Sequence, residues 1–145
     1  MRGVNESSVI KDRIQDLLRE IGILRDGGCI LRDFWEAGAC GPHKVSNGKL
    51  VLQFDHLNSR GFSVSYSDER LGVCVCLHHH FFFKKRYPKK YETMIEKAIG
   101  PERYSLLERV RNDRTPHHMG AGDWKLEEMR LKQVRDQLLA LKESA

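Results

Sequence analysis

Val9, Ile10, Ile14, Leu17, Leu18, Ile21 and Leu24 recur at helical spacing among Lys, Arg, Asp and Glu. That pattern predicts one amphipathic helix over residues 7–24, with its apolar stripe turned to a core. Ser7 or Ser8 supplies the capping oxygen, and Gly27-Gly28 ends the helix. Beyond Cys29 the period shortens. Residues 49–54, 62–66 and 71–76 are rich in β-branched and aromatic side chains and are separated by Gly, Asn, Ser and Asp. They read as strands joined by tight turns, one of them at Asn47-Gly48. Leu71, Val73 and Val75 alternate with Gly72, Cys74 and Cys76, so the cysteines share one face of a strand. Helical spacing returns after His78, breaks at Pro88, and continues through Tyr91, Met94, Ile95 and Ala98 to Gly100-Pro101. A further helix covers residues 102–111, and residues 115–122 form a linker. Asp123 then caps a last helix with Trp124, Met129, Val134, Leu138 and Leu141 as contact residues. The chain thus divides into an N-terminal helix (1–26), a central α+β domain (27–112) and a linker with C-terminal helix (113–145).

Composition narrows the class. Apolar residues make up 40% of the 145 positions and charged residues 31%, so the core is small and benefits from a staple. A net charge of +5 favours an anionic partner, nucleic acid before membrane. No apolar run is long enough to span a bilayer, and Met1 to Lys11 lack the apolar segment of a signal peptide. A cytoplasmic setting follows as the expectation, and there four cysteines and seven histidines point to metal rather than to disulfides.

Two Cys/His pairs bracket the strand region. Cys76 and His79 have the two-residue gap that lets a strand end and the next helical turn share one tetrahedral ion. Cys29 and Cys40 are ten residues apart between them, which requires the intervening segment to loop out. Cys74 is a spare cysteine suited to burial, and Cys74, His78 or His43 can substitute for a ligand. Four protein ligands leave no open position, so the set reads as a structural zinc. Asp55-His56, at the end of a strand, and His80, just past the zinc pair, suggest a second centre. Hydrolysis of a phosphodiester needs a hard cation, a base for water and positive charge around the phosphate. Asp55 and His80 can hold Mg²⁺ or Mn²⁺, and His56, of the side-chain type whose ordinary pKa lies near neutrality, can act as base. Strand neighbours point to opposite faces, so Asp55 and His56 converge only if residues 58–61 bend the chain.

The order of these pieces resembles the HNH, or ββα-metal, endonucleases, and most of all the lambdoid-phage NinG (Rap) recombination nucleases. The likeness rests on Cys29-Ile30, Cys40-Gly41, Asp55-His56 with Arg60, and Cys76-Leu77-His78-His79-His80. Tyr91-Glu92-Thr93-Met94-Ile95, Gly100-Pro101-Glu102-Arg103 and the helix opened by Trp124 extend it. It implies an α+β fold with a small zinc-stapled ββα-metal core and flanking terminal helices. It also implies that Asp55 and His80 hold the catalytic ion while His56 activates water. The substrate it implies is branched DNA, such as D-loops or Holliday junctions, in phage or prophage recombination in a bacterial cytoplasm. The chain departs from the pattern in three ways. The first cysteine pair is widely spaced, and His79 stands where a fourth cysteine is usual. Leu71 falls near the middle Asn, whose role then passes to Asn58 or Asp68.

Lys84, Lys85, Arg86, Lys89 and Lys90, with Tyr87 and Tyr91 interleaved, form a basic run beside the second centre. Together with Arg60 they are the expected phosphate contacts. Phe81, Phe82 and Phe83 are expected in the core rather than against bases. The rival to a nuclease is a zinc-stapled DNA-binding module without catalysis. A homodimer joined through the terminal helices would place two centres on one junction.

Overall fold

The computed structural model describes residues 5–41, 51–58, 63–113, 115 and 117–145. His43, Asn47-Gly48 and Arg60 lie outside the described residues.

Helix α1 spans Glu6–Asp26 and is opened by Asn5, whose side-chain oxygen accepts the Ser8 N–H at 3.3 Å. The serines expected to cap it lie inside its first turn, where Asn5 has already satisfied one of the free amides. Strand β1 is Leu52–His56 and pairs antiparallel with β2, Gly72–Cys76, in the register Phe54↔Cys74. The expected strand at residues 62–66 is instead a short helix, α2, Ser63–Tyr66. Its aromatic and β-branched residues satisfy strand propensity, but propensity yields to context: β1 takes β2 as its partner.

After β2 the chain makes a π-helical turn, His78–Phe83, and continues as α3, Lys84–Arg86. The break expected at Pro88 is present, and α4 runs Pro88–Ile99 with the proline in its first turn. Helix α5 is Pro101–Asn112, and α6 is Ala121–Glu143. Asp123 is not the cap residue of α6 but reaches back from inside its first turn to accept the Gly120 N–H at 2.9 Å.

The two strands lie between two helical layers, an architecture that gives each sheet face its own core. Leu71, Val73 and Val75 pack with Phe83, Tyr91, Met94, Ile95, Ile99 and Leu107 on one side. Phe54 and Tyr66 pack with Ile10, Ile14, Leu17, Leu18, Ile21, Trp124 and Leu131 on the other. All of β2 is buried, as a strand covered on both faces must be. The terminal helices therefore bury their apolar stripes against each other and the sheet. Their ion pairs, Glu6–Lys125, Arg13–Glu128 and Glu20–Arg135, run in the same order on both helices, so α1 and α6 lie side by side in parallel. Val9, Met129 and Leu141, expected to make contacts, face solvent.

Two arginines from different layers tie the start of β2. Arg25 of α1 and Arg103 of α5 each donate to the Gly72 carbonyl, both at 2.8 Å. Asp26 accepts the Cys74 N–H at 2.9 Å, anchoring the end of α1 to the same strand. Gly72 also lies directly under the Phe54 ring, so a Cβ there would overlap ring carbons that are fully enclosed. Gly72→Ala is therefore expected to destabilise the fold by about 1–3 kcal/mol through overpacking. Urea unfolding followed by circular dichroism measures the shift in midpoint.

Candidate metal centres

The sulfur-rich centre is assembled from three segments. The end of β2 supplies Cys76, and the π-helical turn supplies His79. The Ile30 N–H donates to the Cys74 carbonyl at 2.8 Å, which lays Cys29 alongside that strand end. The segment from Leu31 then folds back through a 3₁₀ turn at Trp35–Ala37 and delivers Cys40. The ligand atoms of Cys29, Cys40, Cys76 and His79 all lie within 4.8 Å of one another, close enough to hold a metal ion. His79 Nδ1 is 3.4 Å from Cys29 Sγ, 3.2 Å from Cys76 Sγ and 4.0 Å from Cys40 Sγ. A tetrahedral ion with ordinary zinc bond lengths places S and N ligands roughly 3.5 Å apart. The donor set fits.

The wide spacing of the first pair has a structural purpose. The ten residues between Cys29 and Cys40 do not project away; Leu31 and Ala37 are buried, and the turn presents carbonyls to the histidine. His79 Nε2 lies 3.0 Å from the Ala37 carbonyl and 3.1 Å from that of Gly38. Carbonyls only accept, so Nε2 carries the hydrogen and Nδ1 directs its lone pair at the three sulfurs, as a metal-ligating imidazole requires. Gly41 follows with φ 69°, and a Cβ there would come within 2.8 Å of His78 Cβ. The loop can close only with glycine at that position. The Cys29 thiol hydrogen-bonds toward Cys76, which raises the former and lowers the latter to about 3. Burial opposes charge on His79, but the Cys76 sulfur and the two carbonyls outweigh it and push its pKa up.

Cys74 is not one of the four. It is buried toward Gly22 of α1, where its thiol is pushed up by burial and by Asp26. His78 packs its ring on Phe82 at 6.0 Å. His117 and His118 are exposed in the segment before α6.

The second arrangement lies on the sheet face away from α1. Asp55 is 4% exposed, and its Oδ1 is 3.5 Å from His80 Nε2. His80 Nδ1 faces the Gln53 side-chain oxygen, an acceptor that places the hydrogen on Nδ1. The Nε2 lone pair then points at a carboxylate. Two electron-rich atoms face each other, which calls for a cation or proton between them. Asp55 has two more partners: Lys84 Nζ lies 3.0 Å from both its oxygens, and the Tyr91 hydroxyl donates at 2.6 Å. Burial works against the Asp55 charge, but His80, Lys84 and Tyr91 outweigh it and hold the carboxyl below its usual range. Tyr91, itself buried beside that carboxylate, is pushed up.

His56 is not brought onto Asp55. β1 stays regular through both residues, pairing Asp55↔Val73 and His56↔Gly72, so their side chains take opposite faces. The His56 ring stacks on Tyr66 at 4.9 Å, and its Nε2 is 3.0 Å from the Tyr66 carbonyl. A carbonyl only accepts, so that contact places a hydrogen on Nε2. Both residues nonetheless border one cavity of about 250 Å³ at the strand's end, with Lys84, Tyr91 and Arg111 also on its wall. Asn58, one of two residues expected to orient this loop, binds Ser65 of α2 at 2.9 Å. Asp68, the other, caps the 3₁₀ turn at Glu69–Leu71 instead.

Lys85, Arg86, Lys89 and Lys90 are exposed, as a phosphate-binding face would be, whereas Lys84 is committed to Asp55. Of the three phenylalanines assigned to the core, only Phe83 is buried; Phe81 and Phe82 are 52% and 54% exposed. Sequence reasoning also missed Gln53, Tyr91 as a partner of Asp55, and the Ala37 and Gly38 carbonyls. The last two are backbone groups and leave no mark in side-chain identity.

No described helix is long and apolar enough to cross a membrane. Comparison of the chain with protein-family models, curated proteins and solved structures finds no match.

Because the four ligands come from separate segments of the chain, an ion held by them would couple metal binding to folding. The purified chain is expected to carry one equivalent of metal by elemental analysis, and Cys76→Ser to carry none. Removal by a strong chelator is expected to lower unfolding stability by roughly 3 kcal/mol or more, read as a drop in thermal midpoint.

Proposed function

We propose that the protein is a divalent-metal-dependent DNA endonuclease of the HNH type, stapled by zinc on Cys29, Cys40, Cys76 and His79. The observation that carries this reading is the pair formed by Asp55 and His80. A carboxylate on the first strand of a hairpin and an imidazole on the following helical turn face each other, each already oriented by a further contact. Metal-ligating histidines characteristically donate their other ring N–H to an oxygen, as His80 does toward Gln53.

Bound between Asp55 and His80, Mg²⁺ or Mn²⁺ would polarise the scissile phosphate and stabilise the departing 3′ oxygen. The chain's own groups do the rest. His56, oriented through Nε2 by the Tyr66 carbonyl, takes a proton from water. Lys84 occupies the cation's place on Asp55 and, being tethered by a flexible and 40% exposed side chain, can withdraw toward phosphate. Lys85, Arg86, Lys89 and Lys90 neutralise the strand on either side. The products are a 5′-phosphate and a 3′-hydroxyl. The resemblance to NinG (Rap) nucleases directs the substrate to branched recombination intermediates, in a phage- or prophage-encoded protein of the bacterial cytoplasm; a homodimer would place two centres on one junction.

One observation favours the second reading, a non-catalytic DNA-binding module. The Asp55 carboxylate is already satisfied by Lys84 and Tyr91, and His56 faces the other core. The two readings part on one assay, in which branched and linear DNA are incubated with the chain and Mg²⁺ or Mn²⁺. His56→Ala is expected to slow cutting by about 10²–10⁴-fold, the usual contribution of a general base, with metal content unchanged. Lys84→Met, which frees the carboxylate, is expected to lower the Mg²⁺ concentration needed for half-maximal activity several-fold. Salt-sensitive binding without cutting under either metal would establish the module instead.

A further inference from the structure

Phe81 and Phe82 are large apolar side chains left in solvent on the outer side of the π-helical turn. The turn itself accounts for their position. It buries His79 among the sulfurs and Phe83 in the core beneath. The two residues between Phe83 and His80 are then forced outward. Each ring is steadied by a histidine: Phe81 lies 4.8 Å from the His80 ring, and Phe82 is stacked 25° from the plane of His78. Beside these contacts both residues keep about half of their surface open to solvent, 52% and 54%.

What surrounds these rings is cationic. Lys85 and Arg86, both exposed, follow Phe81 and Phe82 by four residues in the same continuous helical stretch. Every residue from Lys85 to Lys90 is exposed. Tyr87, 40% exposed, lies between Arg86 at 5.5 Å and Lys90 at 5.2 Å from its ring. Duplex DNA offers phosphates to such a surface but buries its base faces. An unpaired strand offers both, and aromatic side chains bordered by cations are the arrangement that binds single strands without sequence preference. A protein partner would bring apolar surface to Phe81 and Phe82 but would leave four cations to be matched.

We infer that Phe81 and Phe82 form a stacking platform for unpaired nucleobases, with Lys85, Arg86, Lys89 and Lys90 holding the adjoining phosphates. The inference rests on the nucleic-acid reading above and deepens it. It assigns the substrate an unpaired segment beside the Asp55–His80 pair, since His80 itself backs the Phe81 ring.

The test is fluorescence anisotropy of a labelled oligothymidylate and of a blunt duplex of equal length, with no added divalent ion, across a salt series. Phe81→Ala and Phe82→Ala are each expected to weaken single-strand binding roughly tenfold, the scale of one stacked base, while duplex binding changes less than twofold. Phe81→Leu and Phe82→Leu keep apolar bulk without a π face and are expected to lose nearly as much. Metal content and thermal midpoint verify that the variants fold. Leucine variants that bind the single strand like wild type would overturn the platform, as would equal losses on both DNAs. A self-dimer in sedimentation that Phe81→Ala or Phe82→Ala dissociates would do so too. The wild-type duplex arm tests the nucleic-acid reading itself: wild-type duplex binding, with no effect of the phenylalanine variants on the single strand, sinks only the platform. Failure of wild type to bind either DNA sinks both.

Discussion

One imidazole, bonded on both edges, determines how the central part of this chain is arranged. His79 turns Nδ1 to three sulfurs and Nε2 to the carbonyls of Ala37 and Gly38. Those contacts join the end of β2, the π-helical turn and both ends of the long segment from Cys29. A two-stranded sheet is marginal by itself, and here each strand has only five residues. Its core residues come from helices that reach it through loops. Joining the loop, the strand end and the turn at one point removes much of the freedom the unfolded chain would otherwise keep.

The π-helical turn follows from the same constraint. Three successive histidines must go three ways: His78 against Gly41 and Phe82, His79 into the sulfurs, His80 toward Gln53 and Asp55. Widening the turn, so that the Lys84 N–H returns to the His79 carbonyl, separates those directions. A consequence is that the two centres are mechanically joined. His79 and His80 are consecutive, and a displacement of one cannot leave the other in place. An ion held at His79 would therefore bear on the distance between His80 and Asp55 as well as on the fold.

Much of this was legible in the residues, for identifiable reasons. Helices α1, α4, α5 and α6 announce themselves by apolar spacing, and β2 by alternation. Cys76 and His79 are readable because a two-residue gap is what a shared ion requires. Cys29 and Cys40 are chemically readable but their gap is not, because the carbonyls that justify it belong to the backbone. Residues 63–66 misled because aromatic and β-branched side chains suit a half-buried surface, strand or otherwise. Phe81 and Phe82 misled for a different reason. Their exposure is decided by the burial of His79 and Phe83 on either side, a packing relation that hydrophobicity alone does not carry. The parallel pairing of α1 with α6 joins the two ends of the chain, a long-range contact with no local signature.

The partners of Asp55 illustrate how one charge can be both structural and chemical. A carboxylate buried to this degree is tolerated only if its charge is matched. Lys84 provides a full compensating charge and Tyr91 a strong neutral donor on Oδ2, while His80 Nε2 lies 3.5 Å from Oδ1. Of the three, only the lysine is on a long flexible stem reaching solvent, so it is the contact that can be exchanged without unpacking the core. Replacing an ammonium by a divalent cation would leave the carboxylate matched and add one positive charge to the site, just where the proposed substrate brings negative phosphate. Lysine suits this exchange better than arginine, whose planar fork would bind both carboxylate oxygens in fixed geometry and give them up less readily.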